Sequence, residues 1–131
     1  MQCLTPKSMA ELSGALAQAT PATQILAGGT DYVLHERKGD FTPDLLIYPG
    51  AIPELHQISL TDDGLTIGAM VTMREIADAL SSVPAYRAIA DMAANVGSPQ
   101  IRNKATLAGN LANASPAGDS LPVCLLYQAQ V

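Results

Sequence analysis

Two short stretches of this chain combine residue types that let a backbone hold an anion. "LAGGTD", Leu26 to Asp31, includes the end of an apolar run, Ile25-Leu26-Ala27, and precedes "YVLHERKG". "TLAGN", Thr106 to Asn110, sets a hydroxyl, a glycine and an amide among small residues. Glycine has no Cβ, so a ligand can come close to its backbone, and it tolerates positive φ. Consecutive N–H groups in such turns form a concave nest for phosphate oxygens, helped by a following helix N-terminus. The hydroxyls of Thr30 and Thr106 are further donors. Either stretch alone also reads as an ordinary turn. Together they make a case for a ligand.

Other chemistries lack their residues. No GxxxxGK[ST] loop and no GxGxxG fingerprint occurs, so neither a nucleotide triphosphatase nor a Rossmann reading follows. His35 sits in a charged segment and His56 beside a turn, and neither anchors a Ser/His/Asp triad. Asp62-Asp63 belongs to a hairpin turn. Cys3 and Cys124, the only cysteines, are too far apart in sequence for a CxxC-type metal site and read as free thiols. We therefore expect no catalytic side chain and no metal ligand. Twelve acidic against seven basic residues leave a net charge of −5. A nucleic-acid partner needs a positive footprint that is missing here. Any anionic ligand must be held by local donors against the overall field. The N-terminus has no apolar leader and no segment approaches a membrane span, which makes a soluble cytoplasmic protein the expectation.

The elements that must position these stretches can be read in turn. The 131 residues are 48% apolar and 15% charged, and with four Tyr, one Phe and no Trp the aliphatics must do the packing. Ser8 and Glu11 have capping-box spacing, which predicts a helix from Met9 to Ala19, before Pro21. Ile25 to Ala27 reads as a buried strand turned by Gly28-Gly29, and Asp31 as the cap of a short helix ended by Gly39. Leu45 to Tyr48 is a second strand, closed by Pro49-Gly50. This alternation predicts a small parallel α/β layer. Near Gly50 to Glu54 the pattern changes to a hairpin, with Ile58 and Leu60 opposite Leu65 and Ile67 around Asp63-Gly64. Thr72 and Glu75 open a helix with Ile76, Ala77 and Leu80 inward, and another amphipathic helix follows Pro84. Leu121 to Tyr127 is expected to be helical, with Ser120 as cap and Pro122 in its first turn. The fold class is mixed α+β, with a parallel βαβ subdomain over 1–53 and a second subdomain over 54–131 with antiparallel strands and helices.

Four segments in order carry a family resemblance: "ILAGGTDYV", "DLLIYPGAIPEL", "LTIGAMVTMREIADA" and "VGSPQIRNKATLAGNLANASPAGDSLPVCLLYQA". They resemble the flavin-binding subunit or domain of the molybdenum hydroxylases, the group of the carbon monoxide dehydrogenase medium subunit and the xanthine dehydrogenase FAD domain. The resemblance runs from about Ile25 to the end. It is most specific over Gly97 to Asp119, in the pattern IRN-x-AT-x-x-GN-x-x-x-ASP-x-x-D.

The resemblance implies an FAD-binding fold of the PCMH-like type and FAD as cofactor. It also implies roles by position. Ile25, Leu26, Ala27, Gly28, Gly29, Thr30, Asp31 and Tyr32 would wrap the diphosphate. Thr106, Leu107, Ala108, Gly109 and Asn110 would close on it from the other side, and Asp119 would accept from a sugar hydroxyl. Ala108 stands where most relatives have glycine; its methyl is harmless if φ is negative and crowding if it is not. Electrons would pass from iron–sulfur clusters through FAD to NAD or another acceptor, in company with molybdopterin-containing and iron–sulfur subunits. Relatives are longer, so the chain is expected to be a fragment and inactive alone. The alternative is a non-catalytic module that docks to partner subunits, or to itself, through the apolar "LPVCLLYQAQV".

Overall fold

The computed structural model describes all residues, 1–131. Its N-terminal part is a three-stranded parallel sheet of β1 (Gln2–Leu4), β2 (Gln24–Ile25) and β3 (Leu45–Ile47), in the order β1-β3-β2. Gln2 faces Leu45 on one side of β3, and Gln24 faces Leu46 on the other. Parallel neighbours need crossovers, and α1 (Met9–Leu16) and α2 (Tyr32–Lys38) supply them. The central strand has neighbours on both edges and cover on its faces. Leu45, Leu46 and Ile47 are accordingly all buried, without alternation. Ala15, Leu45 and Ile47 form a small core that Leu4 and Leu12 extend.

Three expectations change here. Strand β1 was not foreseen, because three residues carry no periodic signal and only their pairing with β3 makes them a strand. Helix α1 stops at Leu16 rather than Ala19; the chain tightens into i→i+3 turns, with the Gln18 and Ala19 N–H groups donating to Ala15 and Leu16. The strand expected at Ile25 to Ala27 is Gln24–Ile25, and it is an edge rather than buried. Ile25 remains 58% exposed, and beyond it only Leu26 keeps the ladder, donating to the Ile47 carbonyl at 2.8 Å.

The second part opens with a hairpin, β4 (Ile58–Thr61) and β5 (Gly64–Ile67), in the expected register of Ile58 against Ile67 and Leu60 against Leu65. A lone hairpin is marginal in water. This one packs Ile58, Leu65 and Ile67 onto the main core. That core is built by α3 (Met73–Leu80) and α4 (Arg87–Asn95), with Met73, Ile76, Leu80 and Ala93 nearly inaccessible. Burying an Ile or Leu of this kind contributes about 1.5–3 kcal/mol. The start of α3 is held by a complete capping box: the Glu75 N–H donates to Thr72 Oγ1 at 3.3 Å, and the Thr72 N–H to Glu75 Oε2 at 2.8 Å. These hydrogen bonds, foremost that from the Thr72 backbone, lower the Glu75 pKa.

Three short helices complete the chain: α5 (Pro99–Arg102), α6 (Leu107–Asn113) and α7 (Ser120–Leu126). The chain enters α6 beside the start of α3. Thr72 and Thr106 form an antiparallel bridge, and the Met73 N–H donates to the Ala105 carbonyl at 2.8 Å. Helix α7 begins one residue earlier than expected. Asp119 takes the cap position without a side-chain bond, and Ser120 lies inside the helix, fully buried. No helix is long and apolar enough to cross a membrane.

Candidate functional site

The two glycine-bearing segments, about eighty residues apart in sequence, lie against each other. A Cβ on Gly28 would stand 2.0 Å from the Lys104 carbonyl oxygen and 2.7 Å from its carbon. A Cβ on Gly109 would meet Thr106 Oγ1 at 2.9 Å and the Ala27 methyl at 3.5 Å. Gly28 thus serves close packing of one segment on the other, whereas Gly109 makes room for the Thr106 hydroxyl of its own segment and meets Ala27 at ordinary contact distance. Gly29 has a different task. Its φ of +73° is the left-handed turn that swings the chain from β2 toward α2.

The first segment keeps its backbone donors free. From Ala27 to Tyr32, no N–H donates to any acceptor within the chain, and the Thr30 hydroxyl is likewise unengaged; pairing resumes at Val33, whose N–H donates to Gly29 at 3.1 Å. Buried or half-buried main-chain donors are nearly always satisfied. A row of unpaired ones beside a left-handed glycine is the arrangement that receives anionic oxygens.

The second segment departs from the expected open loop of donors. Residues 107 to 110 are the first turn of α6, and Thr106 is its cap. Thr106 Oγ1 accepts from the Gly109 N–H at 3.0 Å, and the Thr106 carbonyl accepts from the Asn110 N–H at 3.0 Å. The Thr-x-x-Gly spacing, read as loop chemistry, is an N-cap. Ala108 is helical and absent from the positive-φ residues, so its methyl is harmless by the criterion set out above.

A cavity of about 390 Å³ lies between the segments, within the range of small-molecule sites. Ile25, Leu26, Ala27, Gly28, Gly29, Thr30, Asp31 and Tyr32 line one side, and Thr106, Gly109 and Asn110 the other. Leu107, Ala108 and Asp119 do not line it; Leu107 packs on the main core. The Ser120 hydroxyl, next to Asp119, donates to the Asn110 side chain and so orients a cavity residue from α7. A second cavity of about 510 Å³ shares Leu26 to Gly29, Tyr32 and Thr106, and adds Tyr48, His56, Asn103 and Lys104.

Sequence reasoning missed the aromatic wall of the first cavity. Tyr32 and Phe41 meet in a tilted contact, with ring centroids 5.2 Å apart and planes at 45°, and His35, beside Phe41 at 6.2 Å, is bonded to Asp40 at 2.7 Å. Nothing in the spacing of Phe41 marks it, because the turn after Gly39 brings it back. Tyr32 Oη is buried without a partner; burial, then the charge of Glu36, pushes its pKa up, so the phenol stays protonated at neutral pH. Burial also raises the Cys124 thiol, which is correspondingly unreactive. No three His, Cys, Asp or Glu side chains gather to hold a metal. The free donors and the cavity beside them, with its aromatic side, suit a ligand that carries anionic oxygens.

Comparison with known proteins agrees with that chemistry. All of residues 1–131 match the model of the family described as the FAD binding domain in molybdopterin dehydrogenase. The chain is 36% identical over 129 residues to the nicotinate dehydrogenase FAD-subunit of Eubacterium barkeri, covering 96% of this chain and 43% of that subunit. It is 32% identical over 114 residues to the xanthine dehydrogenase FAD-binding subunit of Escherichia coli O157:H7, covering 85% of this chain and 38% of that one. In structure it is similar to reconstituted CO dehydrogenase from Oligotropha carboxidovorans, with a TM-score of 0.81 at 28% identity over 90% of this chain and 41% of that one. The chain therefore spans about two fifths of the length of these relatives. The match from first residue to last, on a fold whose two glycine segments meet at one cavity, establishes that the chain belongs to the FAD-binding domains of the molybdopterin dehydrogenases.

Proposed function

We propose that this chain holds the diphosphate of FAD between its two glycine segments, as the flavin-carrying part of a molybdenum hydroxylase-type oxidoreductase. The row of free N–H groups from Ala27 to Tyr32 carries this reading. In a chain of net charge −5, neutral backbone donors are the means of holding two phosphates. Gly28 keeps the segments close, Thr30 offers a hydroxyl, and Asn110, steadied by Ser120, offers an amide. Tyr32 and Phe41, inclined at 45° to each other, add an aromatic wall. Bound there, FAD would supply the electron-carrying chemistry, accepting electrons from iron–sulfur partners and passing them to NAD or another acceptor. This chain's own residues bind and orient; none is placed to move a proton for the reaction.

The test is a titration of the purified chain with FAD, followed by flavin fluorescence and visible absorption. Saturable binding of FAD and of ADP is expected, with riboflavin, which lacks the diphosphate, binding far more weakly. Absence of FAD binding, or equal binding of riboflavin, overturns the reading.

A second reading, a docking module, is supported by the exposure of Leu125 at 79% and Leu126 at 69%. It predicts association through α7, seen in sedimentation as a concentration-dependent dimer that Leu125→Glu abolishes. A monomer at all concentrations removes it.

A further inference from the structure

Resting on the FAD reading above, we propose that Lys104 is a further binding residue for the diphosphate, its ammonium supplying the one cation of the site from the side of the second cavity. Among all residues lining the two cavities, Lys104 is the sole lysine or arginine. Elsewhere Arg74 pairs with Asp78 at 2.7 Å, Arg87 pairs with Asp91 at 3.0 Å, and Arg102 donates to the Val96 and Gly97 carbonyls, while Lys7, Arg37 and Lys38 line neither cavity. The two histidines of the cavities are bonded elsewhere, His35 to Asp40 and His56 to the Gly50 carbonyl. The Lys104 ammonium enters no ion pair.

Its backbone, by contrast, is fixed at the place that matters. The Lys104 N–H donates to the Ile101 carbonyl at 2.9 Å, and its own carbonyl abuts Gly28, within the row of free donors. The flexible four-carbon stem therefore starts beside the nest and ends in a compact charge, a form well suited to phosphate. Asp31 lines the first cavity and Lys104 the second, which shares Leu26 to Gly29 with it, so the cation also offsets a negative charge of the same site that would repel the ligand.

The experiment compares the wild-type chain with Lys104→Ala and Lys104→Arg. Calorimetry with FAD, ADP and riboflavin is run at low and high salt, with a thermal melt of each unliganded protein. Lys104→Ala is expected to weaken FAD and ADP roughly tenfold, and Lys104→Arg to stay within about twofold of wild type. Riboflavin affinity and the unliganded melting temperature should not change, and the salt dependence of FAD binding should flatten in Lys104→Ala. Wild-type FAD affinity and salt dependence in Lys104→Ala overturn this inference while leaving the FAD reading standing. An equal loss for riboflavin also overturns it, since the effect is then not on phosphate. Failure of the wild-type chain to bind FAD overturns both.

Discussion

Gly28→Ala puts a methyl where there is no space for one. Its Cβ would lie 2.0 Å from the Lys104 carbonyl oxygen, 2.7 Å from its carbon and 2.9 Å from Ala105 Cα, all backbone atoms, whereas real Cβ atoms do not come within 3.0 Å. One segment must retreat by about 1 Å. The Lys104–Ala105 side is pinned, because both N–H groups donate to Ile101 and the Ala105 carbonyl accepts from Met73 at 2.8 Å. The movement therefore falls on Ala27 to Thr30 and takes the free donors with it. Overpacking of this kind costs about 1–3 kcal/mol, which lowers the melting temperature by several degrees in a domain of this size. Losing two charge-assisted hydrogen bonds at about 1.5 kcal/mol each weakens FAD roughly 100-fold. Gly14→Ala is the control: it sits in α1 with nothing within 4 Å of the added methyl. It should stabilise the chain by about 0.5–1 kcal/mol and leave FAD binding unchanged. Thermal melts and fluorescence titrations of both variants decide the matter. A Gly28→Ala protein that melts within about 1 °C of wild type and keeps its FAD affinity would refute the packing of the two segments described here.

Thr72→Ala removes the capping box of α3 and should cost about 1 kcal/mol at neutral pH, read by urea unfolding. The Thr72 backbone N–H, which the variant keeps, is the main cause of the lowered Glu75 pKa, and the Thr72 hydroxyl adds to it; only the hydroxyl's part, full above 4.5, fades as pH falls through the folded-state pKa, so the gap between wild type and variant should narrow in acid without closing. Ser120→Ala strips the Asn110 side chain of its buried donor and should cost about 1–2 kcal/mol, with a smaller loss of FAD affinity. Ala108→Gly should leave FAD affinity unchanged and lower helix stability by up to about 1 kcal/mol, since Ala108 is already helical. Ala114 ends α6 with φ of 49°, so Ala114→Gly should raise stability by about 1 kcal/mol in the same unfolding assay.

Local chemistry made much of this chain legible. The capping pair Thr72 and Glu75, the hairpin (though its turn is Asp62-Asp63, one residue earlier than expected, with Gly64 already paired to Thr61), the helix stop at Gly39 and the apolar run of β3 each depend on neighbours a few residues away, so type and spacing reveal them. Gly28-Gly29 and the Thr106 segment stood out for the same reason, as did the absence of a basic footprint. What the spacing left open was what each glycine is for. Gly29 turns the chain, but Gly28 packs one segment on the other, a fact that exists only once residues some eighty positions apart have met. Tertiary contact likewise made Gln2–Leu4 a strand, buried Ser120 against Asn110, and brought Phe41 and Lys104 to the cavities, whereas the capped helix at "TLAGN" is local chemistry that reads as a loop in the sequence. Turns and caps are fixed by energies within one stretch of backbone, whereas a binding cavity is the space left between stretches, and only their packing sets its walls.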